Sequence, residues 1–326
     1  MKFVILAVRE DVLSNHRTAV VVTHRQLSTS GTEVKEIVDQ LRSNGFTVAL
    51  HDTPEIPVFS SSNGPAIDPD TEIVVVLGGD GTILHAAELV KGTNVPIVGI
   101  NMGHVGFLAE FESFQIEDAI AKIAARDYSI DERVIASVDV WLPGANEPLR
   151  DWALNDVTLE RADRGKMVEL SISVDDVEMS SFGCDGVIVS TPTGSTAYAF
   201  SAGGPIIWPN VDALQLVPLA AHALFARPLI IGSRSTFTLD ISQESGSEGW
   251  ICCDGRRQRG IPRGSRVVVK QSPNSLRLAR LVGVPFTSRL VSKFELPVMG
   301  WRESSKTRGQ QENSQGSQND SGVTHA

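Results

Sequence analysis

Cysteine is scarce in this chain of 326 residues: Cys184, Cys252 and Cys253 are an odd count with no CxxC spacing, and neighbours such as Cys252 and Cys253 rarely pair. That excludes a disulfide framework and points to reduced thiols in a cytoplasmic protein. The seven histidines are scattered without metal-ligand spacing, so no dedicated protein metal site is expected. No run approaches the roughly 18 consecutive apolar residues of a membrane helix. The apolar start, Met1 to Val8, lacks a basic leader and meets Arg9, Glu10 and Asp11 at once, which argues against a secretory signal. Positive charge is also in deficit. A net charge of −10 speaks against a broad nucleic-acid-binding surface while leaving room for a local basic pocket. What is present is ordinary for a folded soluble protein: 41% hydrophobic and 21% charged residues, over a length that fits two domains.

The stretch Ile73-Val74-Val75-Val76-Leu77-Gly78-Gly79-Asp80-Gly81-Thr82-Ile83-Leu84 organises the rest. Its five leading apolar residues, four of them β-branched, fit a buried parallel strand. Gly78, Gly79 and Gly81 then form a turn whose backbone can take unusual angles and let a ligand approach. Ile83, Ala87 and Val90 follow at helical spacing, which sets Asp80 just before a helix amino terminus. In open α/β sheets ligands bind at that crevice, and helix amino termini attract phosphate. Three uses stay open for Asp80: accepting a proton from a hydroxyl, approaching a phosphate through a bound cation, or capping the helix.

Around this stretch, Thr18–His24 reads as a strand and Thr32–Asn44 as a helix with Val34, Ile37, Val38 and Leu41 on one face and Gly45 as its stop. Thr47–His51 is a second strand, the Pro/Ser/Gly-rich segment 53–70 a loop, and Lys2–Val8 a short strand or a lead-in to the fold. Val95–Ile100 and a helix over Glu117–Arg126 continue a β-α-β alternation. Residues 1–133 are therefore expected to form an α/β domain with a parallel, Rossmann-like sheet. From Val134 the rhythm changes to alternation, clearest at Val168–Val174 and Thr236–Ile241. Further strands are expected at Ile135–Trp141, Trp152–Leu159, Val187–Ser190, Leu214–Val217, Trp250–Cys253, Arg266–Lys270 and Leu276–Leu281, a β-rich domain over 134–283. Thr287–Phe294 is helical in character, within a segment 284–302, and the Gln/Ser/Asn/Gly-rich tail 303–326 is expected to be disordered.

Four motifs occur together: Gly78-Gly79-Asp80-Gly81-Thr82; Asn101-x-Gly103-x-x-Gly106-Phe107-Leu108; Asn155-Asp156; and Asp185-Gly186-x-x-Val189-Ser190-Thr191-Pro192-Thr193-Gly194-Ser195-Thr196-Ala197-Tyr198. In that combination the chain resembles the NAD kinase family from about Thr18 to about Trp301. The GGDGT loop alone is shared with diacylglycerol, sphingosine and 6-phosphofructo-kinases; the TPTGSTAY block is the specific part. The resemblance implies transfer of the terminal phosphate of ATP, or of polyphosphate in some members, to the adenosine 2′-hydroxyl of NAD, giving NADP. Mg²⁺ or another divalent cation bridges the donor's phosphates in such chemistry.

Residue by residue, the resemblance makes Asp80 the proton acceptor, with Gly81 beside it at the substrates. Asn155 and Asp156 hydrogen-bond NAD; most members carry Asn-Glu, so Asp156 reaches one methylene less far. A turn or bulge is the other reading of that pair. Thr196, Ala197, Tyr198, Ala199, Phe200 and Ser201 line the NAD pocket, and Asp185 contributes from a neighbouring subunit of a homodimer or homotetramer. Tyr198 and Phe107 stack on adenine, or else pack in the core. His85 and Lys166 stand where members often carry a basic residue near the NAD phosphates, although a neutral imidazole neutralises nothing and Lys166 also suits a solvated strand start. His104 reads as a loop residue. Asp254-Gly255-Arg256 resembles the family's Asp-Gly-Gln, with Arg256 departing from it and no contact assigned, and a hairpin turn is its other reading. The last helix is implied to return to the first domain.

Two rivals are weighed against this. A lipid or sugar kinase would share GGDGT but not TPTGSTAY, and the Thr-x-Asp-x-Asp stretch expected of a phosphofructokinase is missing. A non-catalytic NAD-binding regulator has no need of Asp80. A dehydrogenase is disfavoured because no strand–GxGxxG–helix unit occurs.

Overall fold

In the computed structural model the described residues are 17–23, 31–52, 59, 67–101, 106–109, 111–112, 116–223 and 226–297. Lys2–Val8, His24, most of the 53–70 loop, Gly103, His104, Trp301 and the tail 303–326 lie outside them. The first part runs β1 (Arg17–Thr23), α1 (Thr32–Ser43), β2 (Phe46–Asp52), β3 (Thr71–Leu77), α2 (Asp80–Val90), β4 (Ile97–Asn101), β5 (Phe111–Glu112) and α3 (Ile116–Ala125). The strands lie parallel in the order β4-β3-β1-β2, with β5 parallel to β4. Alternation sorts each strand's side chains to opposite faces. Ala19, Val21, Ile73 and Val75 pack under α1 and α3, whereas Val20, Val22, Val74 and Val76 pack under α2. Both faces are covered, which is why β3 reads as an unbroken apolar run.

The second part is β6 (Ser129–Trp141), β7 (Leu149–Ala153), β8 (Asp156–Arg161), β9 (Val168–Val174), β10 (Val177–Cys184) and β11 (Gly186–Ser190), then a 3-10 turn at Gly194–Thr196 and the short α4 (Tyr198–Ser201). It continues with β12 (Ala213–Leu219), β13 (Leu229–Gly232), β14 (Thr236–Ile241), β15 (Gly249–Cys253), β16 (Arg257–Ile261), β17 (Arg266–Arg280) and α5 (Phe286–Phe294). Six strands, β13-β12-β11-β8-β15-β16, form an antiparallel sheet. Its apolar face, including Leu159, Val189 and Ile251, shares one core with Val138, Leu170 and Leu239 of the other sheet. That other sheet has 11 strands and runs through both parts of the chain, because β17 pairs β14 and β6 along its length and reaches β4 at Leu278.

The α/β first part, the β-rich second part and the final helix agree with expectation. Four details differ. Trp152–Leu159 is two strands, β7 and β8, parted at Leu154–Asn155. Arg266–Lys270 and Leu276–Leu281 are one long strand whose register slips between Gln271 and Ser275, where Pro273 supplies no ladder N–H. Strands β5, β10, β13 and β16 carry too short or too polar a pattern to be read without their neighbours. The expected division at 133–134 falls inside β6.

Candidate active site

Gly78 is the turn that lets β3 pass into α2. Its φ of +152° disfavours other residues, and a Cβ there would lie 2.4 Å from Thr82 Oγ1. Gly79 occupies the helix N-cap position and Asp80 is the first helical residue, so Asp80 is not the cap. Its carboxylate turns outward and accepts the backbone N–H of Phe107 at Oδ2 and of Leu108 at Oδ1, both at 3.0 Å. Gly106 makes room for it: a Cβ there would meet Asp80 Oδ1 at 2.3 Å. The half-buried carboxylate is thereby held between the glycine turn and the 106–109 segment, at the positive end of α2.

The second half of the site is built on the break between β7 and β8. Asp254, fully enclosed in the β15–β16 turn, accepts the backbone N–H of Leu154 at Oδ2 and of Asn155 at Oδ1, at 3.0 and 2.7 Å. Strand pairing would otherwise use those donors; the carboxylate takes them and parts the strand. The TPTGSTAY segment then lies directly on the break. Thr191 N donates to Asn155 O, the Thr191 hydroxyl to Leu154 O, and Gly194 passes so close that a Cβ would sit 1.9 Å from Asn155 O. Ser195 is buried and pinned to Pro192 and Ile207, so its role is to hold the loop. Tyr198 and Phe200, by contrast, are exposed. Asp156 opens β8 almost fully buried, with no hydrogen bond to its carboxyl among the described residues. Burial, and next the negative charges of Asp254 and Glu160, push that carboxyl up to about 7.

A charged network ties the two halves together. Arg257 is buried and reaches Glu88 on α2 at 2.8 Å, Asp151 on β7 at 2.9 Å and Asp254 at 3.1 Å. Arg256 Nε contacts Glu88 at 3.2 Å and its Nη2 lies 3.3 Å from His85 Nδ1. Burial works against the Glu88 charge, but His85, Arg257 and Arg256 outweigh it and hold the carboxyl below its ordinary range. The carboxyl-terminal half of α2 is thus anchored to the turn that opens β7 from β8, while its first residue is Asp80.

Two domain families match the chain: the ATP-NAD kinase N-terminal domain over residues 6–128 and the ATP-NAD kinase C-terminal domain over residues 154–281. An NAD kinase of Bifidobacterium longum is 74% identical over 287 residues, covering 88% of this chain and 84% of that one. The chain belongs to the NAD kinase family. A more distant relative, the NAD kinase of Cutibacterium acnes, is 43% identical over 298 residues, covering 89% of this chain and 93% of that one. The fold agrees with a yeast NADH kinase complexed with NADH (TM-score 0.75, 22% identity, 88% and 90% covered) and an Archaeoglobus fulgidus NAD kinase in complex with ATP (TM-score 0.66, 24% identity, 85% and 98% covered). Membership in an enzyme family of this kind sets aside the lipid-kinase, sugar-kinase and regulator readings.

Among the residues that the NAD kinase resemblance singles out, Asp80 and Gly81 share one turn, Asn155 and Asp156 lie at the strand break, and Thr196–Ser201 follow the Thr191–Gly194 stretch that contacts it, with Ala199 packed on Ile188 and Val217 and Phe200 4.5 Å from Phe294. Asp185 is half-exposed and paired with Arg161 at 2.9 Å; its charge, with those of Glu160 and Asp156, reaches Tyr198. Phe107 is buried between Phe286 and Phe294, at 5.9 and 5.7 Å, so its ring packs as a core residue and its backbone N–H serves Asp80. His85 is buried on α2, stacked at 6.0 Å on His51, with Nε2 lacking a partner among the described residues. Lys166 is exposed in the β8–β9 loop beside Gly246. Asp254, Arg256, Arg257 and Glu88 were the residues sequence reasoning missed or left unassigned. Their signal was Asp254-Gly255-Arg256-Arg257, two adjacent cations after a turn. The hairpin reading of that turn is correct, with positive φ at Asp254 and Gly255 and Arg256 N donating to Cys253 O.

Proposed function

We propose that this enzyme transfers the terminal phosphate of ATP to the adenosine 2′-hydroxyl of NAD, forming NADP, with Asp80 taking the hydroxyl proton. The observation that carries this is a half-buried carboxylate at the first residue of α2, oriented by two backbone N–H groups beside a glycine turn. The turn and the positive end of α2 suit the donor's phosphates. A positioned base of this kind contributes about 10²–10⁴ in rate. The ATP complex of the archaeal relative and the NADH complex of the yeast one support both substrates; polyphosphate is an alternative donor.

NAD lies across the strand break, with Asn155 and Asp156 on its polar edge and Thr196, Ala197, Tyr198, Ala199, Phe200 and Ser201 along its base. A carboxyl that titrates near neutrality can donate to a ribose oxygen or accept from a ribose hydroxyl, which offsets the shorter reach of Asp156. Arg256, whose Nη2 lies 3.3 Å from His85 Nδ1, brings a guanidinium to the place where family members often carry a basic residue. Lys166 approaches the NAD phosphates from its exposed loop. The turn offers one carboxylate, Asp80, to a cation that arrives on the donor's phosphates, and among the described residues no three His, Cys, Asp or Glu side chains stand together as a cage. Asp80 is the side chain that would hold such a cation, and Mg²⁺ there would supply charge neutralisation for the phosphates. The chain works as a homodimer or homotetramer with Asp185 at the subunit boundary, in the cytoplasm; no described helix is long and apolar enough to cross a membrane. Light scattering at micromolar concentration tests the assembly, and a fully active monomer refutes it.

The test of function is to incubate the full chain with Mg²⁺, NAD and either ATP or polyphosphate, reading product with an NADP-specific dehydrogenase. NADP is expected with ATP. Its absence with both donors, beside phosphorylation of a lipid or sugar control, overturns the proposal.

A further inference from the structure

The segment that holds Asp80 is itself held from behind. Phe107 and Leu108 direct their N–H groups at the Asp80 carboxylate, while the carbonyls of 107–109 face two arginines. Arg280, at the end of β17, donates from Nη1 to Leu108 O at 2.9 Å. Arg289, on α5, donates from Nη1 to Ala109 O and, at 3.5 Å, to Phe107 O. Leu108 and Ala109 are buried, so water does not replace these donors. The peptide unit joining Phe107 to Leu108 lies between a guanidinium on its oxygen and the Asp80 carboxylate on its N–H, an arrangement in which each hydrogen bond polarises the next. The arginines are in turn oriented. Arg280 Nε meets Asp131 Oδ2 at 2.9 Å, the oxygen that also takes Arg133 Nη2 at 2.7 Å. Phe286 and Phe294, on the same helix as Arg289, clamp the Phe107 ring.

We infer that Arg280 and Arg289 are positioning residues for phosphoryl transfer: they fix the 107–109 segment so that its amides hold the Asp80 carboxylate at the angle the acceptor hydroxyl needs. This rests on the role of Asp80 proposed above. It assigns a task to the last helix, which brings a cation to the back of the site, and to the end of β17, the strand that links the two parts of the sheet. Neither arginine touches the substrates in this account, so substrate affinity stays nearly constant when they change.

The experiment compares Arg280→Met and Arg289→Met in two backgrounds, wild type and Asp80→Asn, using the full chain and measuring kcat, KM for NAD and melting temperature. In the wild-type background kcat is expected to fall about 10–100-fold with KM for NAD within about twofold, as displacement of a reacting group by a fraction of an ångström does. In the Asp80→Asn background the same substitutions are expected to cost nothing further, since residues acting through one group are not additive. An equal loss in both backgrounds, or an unchanged kcat in wild type, overturns the inference. Should a methionine variant fail to fold, Arg280→Lys and Arg289→Lys, which keep the charge but not the planar fork, carry the same comparison with the same criteria. If Asp80→Asn itself keeps full activity, the base assignment falls; if Asp80→Asn is inactive while both arginine variants turn over normally, the arginine inference alone falls.

Discussion

Asp80 and Asp156 are both aspartates that open an element, α2 and β8, yet their surroundings are opposite. Asp80 is half-buried, sits on the positive end of a helix and receives two backbone N–H groups. Asp156 is more deeply buried, faces the negative charges of Asp254 and Glu160, and its carboxyl receives no hydrogen bond among the described residues. The chain thus gives one carboxylate two backbone donors and the other none among the described residues. Asp254 explains how the second case is tolerated: it is as deeply enclosed as Asp156 but has Arg257 and the amides of Leu154 and Asn155. The donors near the strand break go to Asp254, the residue that shapes the break, and the carboxyl of Asp156 goes without.

Removing the Asp80 carboxylate is expected to have the largest effect. Asp80→Asn should leave fold and NAD affinity near wild type while turnover falls about 10²–10⁴-fold, measured by coupled NADP assay and calorimetric NAD binding. Near-normal turnover would end the contrast between the two aspartates. Next comes Arg257→Met, which leaves Glu88, Asp151 and Asp254 buried around an apolar side chain. Loss of one partner from such a cluster costs about 3–5 kcal/mol, so the melting temperature should drop sharply, and KM for NAD should rise in whatever folds because the β7–β8 break loosens.

Asp156 sharpens the comparison through pH. Its carboxyl rises from the ordinary 3.8 to about 7 on folding, so the folded chain keeps a proton that the unfolded chain has lost. Its contribution to stability therefore declines as pH rises from about 4 to about 7. Asp156→Asn should match wild type near pH 4 and exceed it at pH 8, by about 4 kcal/mol at most, in thermal or urea unfolding. A difference that does not vary with pH would show that the carboxyl is not raised. The smallest effect is expected at Gly106→Ala. Its Cβ would displace the Asp80 carboxylate, 2.3 Å away, and kcat should fall about tenfold with little change in KM.

Local signals made the first part of the fold readable. An unbroken β-branched run, a glycine turn and helical spacing place Asp80 without any knowledge of its neighbours, and structure moved it by a single position, from before the helix to its first residue. The alternation at Val168–Val174 gave that strand to the residue. Trp152–Leu159 was misread as one strand for the opposite reason: the group that parts it, Asp254, is about a hundred residues away, and only the fold brings its carboxylate to the amides of Leu154 and Asn155. Arg256 looked like an unexplained departure until α2 placed Glu88 and His85 beside it. Phe107 carried a motif position whose ring suited either a ligand or the core, and only the fold shows that α5 lies against that ring.

By itself, then, the sequence determined the order of elements, the glycine turn with its aspartate and the small-residue loop, because backbone strain and apolar periodicity are properties of consecutive residues. Which donors each buried carboxylate would obtain was decided only in the folded chain. A hydrogen bond or ion pair depends on a distance of about 3 Å between groups far apart along the backbone, and no local pattern encodes that distance.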